Sequence, residues 1–168
     1  RSFGQMGLVF FLTPFLLFGV TIGHMLHSTP LSIFSALGTF ALIGVMINNA
    51  LVLVSSFNQQ LQTGLSFKEA LKEAAFSRFR PIILTTITTV AGLVPLIVSQ
   101  GIGAQFLKPT SLSIAYGLIF GTFLTLSFLP SLLVLSNKAN QLLYRIRRRQ
   151  RPTPEQVEPA VKELEVHF

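Results

Sequence analysis

The 168-residue chain has no cysteine, no tryptophan and no aspartate, and only 11% of its residues are charged. Without cysteine there is no disulfide and no thiolate metal site. Without aspartate there is no Ser/His/Asp set, and none of the six acidic residues, all glutamates, lies inside a long apolar run. Neither a carboxylate pair nor a Gly-rich phosphate loop occurs in those runs. The chain is therefore not expected to be an enzyme or to need a cofactor. A soluble domain would carry roughly twice this charge fraction.

Half of the residues are hydrophobic, with 16 phenylalanines, and they fall into blocks. Four apolar stretches, 6–26, 33–57, 81–99 and 111–135, are each long enough to cross a roughly 30 Å hydrocarbon layer at about 1.5 Å per residue. The fold class expected is an all-α membrane protein with four transmembrane helices. Residues 1–136 form the membrane domain, and 137–168 form a basic tail expected to be mobile. The run 4–24 is too long for a signal-peptide core and lacks a cleavage site. A chain opening on Arg1 directly into such a run reads as the C-terminal piece of something larger.

Net charge is +7, and six of the thirteen basic residues lie between Lys138 and Arg151, just past the last apolar block. That placement suits a membrane-flanking cluster among membrane lipids better than a nucleic-acid interface. The link 27–32 carries no Lys or Arg, and 100–110 carries only Lys108. The link 58–80 carries Lys68, Lys72, Arg78 and Arg80. By the positive-inside rule, 58–80 and the tail are cytoplasmic, so both ends of the chain are too. Within that link, Ser66-Phe-Lys-Glu69 reads as a capping box opening a short amphipathic helix, 66–77, on the membrane surface. Pro81 suits the first turn of the next span.

The polar residues inside the blocks carry the functional question. Asn48 and Asn49 are one helical step apart and point about 100° from each other. They are either interhelical glue or part of a proton or ion path. Thr85, Thr88 and Thr89 share a face by the i, i+3, i+4 rule. Gly19 with Gly23, and Gly117 with Gly121, form two G-x-x-x-G spacings, a signal for close helix packing. Pro14, Pro95 and Pro130 should kink their helices or mark unwound turns. His24 and His27 share a face at the outer surface, but two ligands without a third make no metal site.

The runs Gly44-Val-Met-Ile-Asn-Asn-Ala-Leu-Val-Leu-Val54, Arg78-Phe-Arg-Pro-Ile-Ile-Leu-Thr-Thr86, Gly92-Leu-Val-Pro-Leu96 and Gly101-Ile-Gly-Ala-Gln105 carry a resemblance. Over residues 1–138 the chain resembles the C-terminal membrane segment of resistance–nodulation–division (RND) efflux transporters of the acriflavine-resistance type. The resemblance implies helices nine to twelve of a twelve-helix protomer in the bacterial inner membrane. It also implies a homotrimer completed by the remainder of the transporter chain, a periplasmic adaptor and an outer-membrane channel. Proton influx would drive export of drugs or other amphiphilic compounds.

The resemblance places the family's relay arginine and threonine at Arg78 and Thr85, with the relay aspartates on a helix not in this chain. Where the well-known drug pumps have a lysine, this chain has Asn48, followed by Asn49. Asparagine offers neutral hydrogen bonds where lysine offers an exchangeable ion pair. The alternative function is a non-transporting membrane protein, of sterol-sensing or translocation-accessory type, with a structural or lipid-binding polar face.

Overall fold

The computed structural model describes residues 3–148, all of whose long elements are helical. They are α1 (Phe3–Leu26), α2 (Ile33–Gln62), α3 (Phe67–Val98), α4 (Ile102–Phe123), a π-helical turn (Leu124–Phe128) and α5 (Leu129–Arg148). Links of a few residues force consecutive helices to run antiparallel. The α1–α2 and α3–α4 links thus share one end, while the α2–α3 link and α5 share the other, basic end. By length and apolar composition, Ile33–Gln62, Phe67–Val98 and Ile102–Ala139 can each cross a membrane, and Phe11–Leu26 is a shorter apolar helix.

Three boundaries depart from expectation. The amphipathic stretch and the third span are one helix, because α3 runs through Pro81 without a break. Pro81 cannot bond the Ser77 carbonyl, but it is exposed, so that carbonyl is not trapped in a packed seam and the missing bond costs little. The last span starts at Ile102, nine residues earlier than the expected 111. Gly101 supplies an extended N-cap, and its carbonyl accepts from the Gln105 N–H at 3.0 Å. The last helix also runs on past 135 to Arg148. The rest of the expected tail lies outside the described residues.

The start of α3 is closed by Glu69, whose carboxylate accepts from the Ser66 hydroxyl at 2.6 Å and the Ser66 N–H at 3.4 Å. The α2 start is a serine pair: Ser35 N–H donates to Ser32 Oγ, and Ser32 N–H to Ser35 Oγ. Pro130 would clash with the Leu126 carbonyl in a regular helix. The π-turn just before it widens the ladder by one residue, with Leu129 N–H donating to Leu124 O.

α4 is the hub, packed against α1, α2 and α3. In lipid, helices gain little from hiding apolar surface, so close backbone approach does the work. On α1, a Cβ added at Gly19 would lie 2.6 Å from Phe120 Cβ and 3.2 Å from Gly117 Cα. One added at Gly23 would meet the Tyr116 ring at 2.6 Å. On α4, a Cβ at Gly117 would run into Leu42 of α2, and one at Gly121 would lie 2.7 Å from both Leu16 and the Met46 sulfur. Gly117 and Gly121 therefore let α4 sit between α1 and α2 at once. The cluster of Leu16, Val20, Leu42, Met46, Leu118 and Leu124 fills the space around them.

A larger side chain at these positions must push helices apart. Gly117→Leu should lower unfolding stability by about 1–3 kcal/mol, the usual cost of overpacking. Gly44→Ala and Gly92→Ala, whose added methyls meet nothing within 4 Å, should instead raise stability by up to about 1 kcal/mol, because glycine is the poorer helix former. Denaturation in detergent, followed by circular dichroism, checks the contrast.

Candidate functional site

α2 buries one stripe: Ser35, Gly38, Leu42, Met46, Ala50, Leu53, Phe57 and Leu61. Asn49 is seven residues beyond Leu42, hence about 20° from it around the axis, and is half-buried. Asn48 points about 100° further away and is exposed. The α2 helix therefore turns Asn48 away from the α4 seam and leaves Asn49 at its edge.

On α3, the stripe against α4 is Ile82, Thr86 and Ile97, with Val90 and Leu93 half-buried. Arg78 and Thr85 are seven residues apart, so they share a face, about 20° apart and roughly 10 Å along the axis. Thr85 is exposed, and its hydroxyl turns back to the carbonyls of Pro81 at 3.0 Å and Ile82 at 2.9 Å. Arg78 is half-buried, and its Nε is enclosed with no hydrogen-bond partner among the described residues. Those residues provide no hydrogen bond from Asn48 or Asn49 to Arg78 or Thr85 either. The four candidates thus come to lie on two helices with no hydrogen bond between the two pairs among the described residues.

The threonine that does face inward is one the i, i+3, i+4 reading passed over. Thr88 and Thr89 are exposed, like Thr85, whereas Thr86 is buried. The Thr86 hydroxyl donates to Ile82 O at 2.9 Å and therefore accepts from the Thr122 hydroxyl of α4, 2.7 Å away. Its signal in the sequence was there: Ile82, Thr86, Val90, Leu93 and Ile97 repeat at helical spacing. Such an interhelical bond contributes about 0.6–1 kcal/mol in lipid.

The two histidines tie helices together at the opposite end from Arg78. His24 is buried, with Nδ1 3.0 Å from Val20 O and Nε2 2.8 Å from Ser35 Oγ. A carbonyl can only accept, so in the neutral ring Nδ1–H donates to Val20 and Nε2 accepts from Ser35. His27 Nε2 is 3.0 Å from the Tyr116 hydroxyl, with the rings edge to face at 5.6 Å. Among the described residues, no three His, Cys, Asp or Glu gather as metal ligands.

Gly19, Gly23, Gly117 and Gly121 stand apart from these polar groups, in the seams of α4 with α1 and α2. Beside them, Thr125 and Ser113 keep buried hydroxyls without a partner among the described residues. Thr125 lines a water-sized apolar cavity with Leu12, Leu16 and Met46.

Known proteins share this arrangement. Residues 2–137 match the AcrB/AcrD/AcrF family. The multidrug resistance protein MdtC of Erwinia amylovora is 34% identical over 139 residues, which cover 82% of this chain and 13% of that protein. The nickel and cobalt resistance protein CnrA of Cupriavidus metallidurans is 36% identical over 119 residues, 71% of this chain and 11% of that protein. A crystal structure of a heavy metal efflux pump matches at a TM-score of 0.67 and 30% identity, over 78% of this chain and 13% of that one. The chain thus spans little more than a tenth of these relatives' length. With a match over most of its residues and a shared membrane fold, it belongs to the AcrB/AcrD/AcrF family of RND transporters.

Proposed function

We propose that this chain is part of a proton-driven efflux transporter of the bacterial inner membrane, with Asn48, Asn49, Arg78 and Thr85 forming part of its coupling site. The observation that carries this reading is the outward-facing polar surface of α2 and α3. A half-buried guanidinium and an exposed asparagine sit on apolar helices. Lipid cannot satisfy them, so their partners belong to other helices of the transporter.

The chemistry of those partners follows from what this chain lacks. It has no aspartate, and its two described glutamates precede the apolar part of α3. The proton-carrying carboxylates must therefore come from the remainder of the transporter chain. Arg78 holds a permanent charge that favours their ionised form. Asn48 and Thr85 can donate to or accept from either protonation state, so they hold the carboxylates in place through the cycle. In this reading the transporter works as a homotrimer with a periplasmic adaptor and an outer-membrane channel.

Drugs or other amphiphilic compounds are the leading substrates, supported by the likeness to a multidrug resistance protein. Metal cations are the second reading, favoured by the likeness to CnrA and to a heavy metal efflux pump. The membrane domain does not choose between them. Disrupting the transporter gene should sensitise cells either to drugs and detergents or to nickel and cobalt, and the growth-inhibitory concentrations tell which.

In the full transporter, Asn48→Ala, Arg78→Gln and Thr85→Val should each cut substrate-driven proton flux in proteoliposomes about tenfold or more, equal to a barrier rise of about 1.4 kcal/mol. Thr21→Val, whose hydroxyl only bonds back to Leu17 O, should leave it unchanged. Parental flux in all three site variants would rule out the coupling role.

The positive-inside rule supports a cytoplasmic basic end, since Lys68, Lys72, Arg80 and Lys138 gather there. The chain has no cysteine, so in a full transporter cleared of any cysteines elsewhere, single cysteines report topology cleanly. A membrane-impermeant maleimide should label Ser28→Cys and Gln100→Cys in cells with a permeabilised outer membrane. It should reach Gln62→Cys and Lys138→Cys only once the inner membrane is opened.

A further inference from the structure

At the basic end, the first turn of α3 and one face of α5 enclose a groove of about 360 Å3. Phe67 and Lys68 line it from α3, and Val134, Asn137, Lys138 and Gln141 from α5. The α5 residues repeat at i, i+3, i+4 and i+7, the spacing of a single helix face. The floor is apolar, since Phe67 is buried edge to face against Phe57 and Val134 packs on the same cluster. The walls are polar: Asn137 is 2% exposed, and its Oδ1 accepts from Gln141 Nε2 at 2.6 Å.

The rim is cationic. Lys68 and Lys138 are both exposed, and neither forms an ion pair among the described residues. Glu69 is the nearest carboxylate in sequence to Lys68, and it is engaged by the Ser66 hydroxyl and N–H. The level of the groove in the membrane is set by the sequence. The last apolar block ends at Leu135, so Asn137 and Lys138 stand where hydrocarbon gives way to headgroups. Leu135, on the apolar side of that boundary, is exposed and offers a surface for an acyl chain.

From this juxtaposition we infer that the groove between the start of α3 and α5 is a binding site for an anionic phospholipid. The phosphate sits between Lys68 and Lys138, the amides of Asn137 and Gln141 line the headgroup, and the acyl chains run down past Val134 and Leu135. A lipid so held ties the α2–α3 turn to α5, two elements that meet in the Phe67 cluster. The chain's own acidic end, with Glu155, Glu158, Glu163 and Glu165, is the competing occupant. The apolar floor and the headgroup level favour the lipid. The inference rests on the membrane placement and not on proton coupling, so it stands or falls on lipid counts while coupling is read from proton flux.

Native mass spectrometry of the full polypeptide in detergent, titrated with phosphatidylglycerol or phosphatidylcholine, tests it. Lys68→Gln/Lys138→Gln should weaken the tightest phosphatidylglycerol binding about tenfold or more and leave phosphatidylcholine binding unchanged. Lys108→Gln, at the opposite end, should change neither. Equal phosphatidylglycerol affinity in the parent and the double variant overturns the inference, as does an equal loss for both lipids. If inorganic phosphate alone stabilises the parent against heat as well as phosphatidylglycerol does, and the double variant loses both effects, the site takes a free anion and the lipid is wrong. Lipid binding that emerges only after all four tail glutamates are changed to Gln places the tail in the groove and also overturns it.

Discussion

The structure depends on how closely α4 can approach its neighbours. A membrane helix satisfies its own backbone, and the hydrophobic effect does not press it against another helix. What remains is dispersion over a close contact, and that requires a surface with no side chain in the way. Gly117 meets Leu42 of α2 on one side and Val20 of α1 on another, and Gly121 meets Leu16 and Met46. Because α4 is pinned between α1 and α2 there, α3 is left to pack on its remaining side through Ile82, Thr86 and Ile97.

That arrangement sorts the polar groups into two kinds. Apart from Ser113 and Thr125, whose buried hydroxyls have no partner among the described residues, those turned toward α4 or toward the helix links find partners inside the chain: Thr86 with Thr122, His24 with Ser35, His27 with Tyr116, Thr110 with the Phe34 carbonyl at 2.8 Å. Each joins two helices at modest energetic gain. Asn48 and Arg78 point elsewhere, onto surfaces that also expose large apolar side chains such as Val45, Val52 and Leu84. Such a surface suits contact with further helices as well as with lipid. The family match and the short share of each relative covered agree with a segment whose outer faces meet the rest of a transporter.

Much of this was legible from residues alone. Long apolar blocks and the scarcity of charge identified a helical membrane protein, because only a helix or a closed barrel hides its backbone in lipid. The quoted motifs identified the family. The boundaries were less legible. Pro81 read as the first turn of a new span and 100–110 as a link, yet α3 runs through the proline and α4 begins at Ile102. An exposed proline costs one hydrogen bond and no packing, and a sequence does not say which side of a helix will be exposed.

The same limit divides what local chemistry dictates from what helix packing alone can choose. Composition and spacing determined class, number of apolar blocks, the basic end and the candidate polar residues, because these follow from local chemistry and helical period. Which threonine of the Thr85-Thr86 pair turns inward was decided by where α4 lies. So were the partners of His24 and His27, and the groove between Lys68 and Lys138. These join residues far apart in the chain, and only the packed arrangement of the helices brings them within reach.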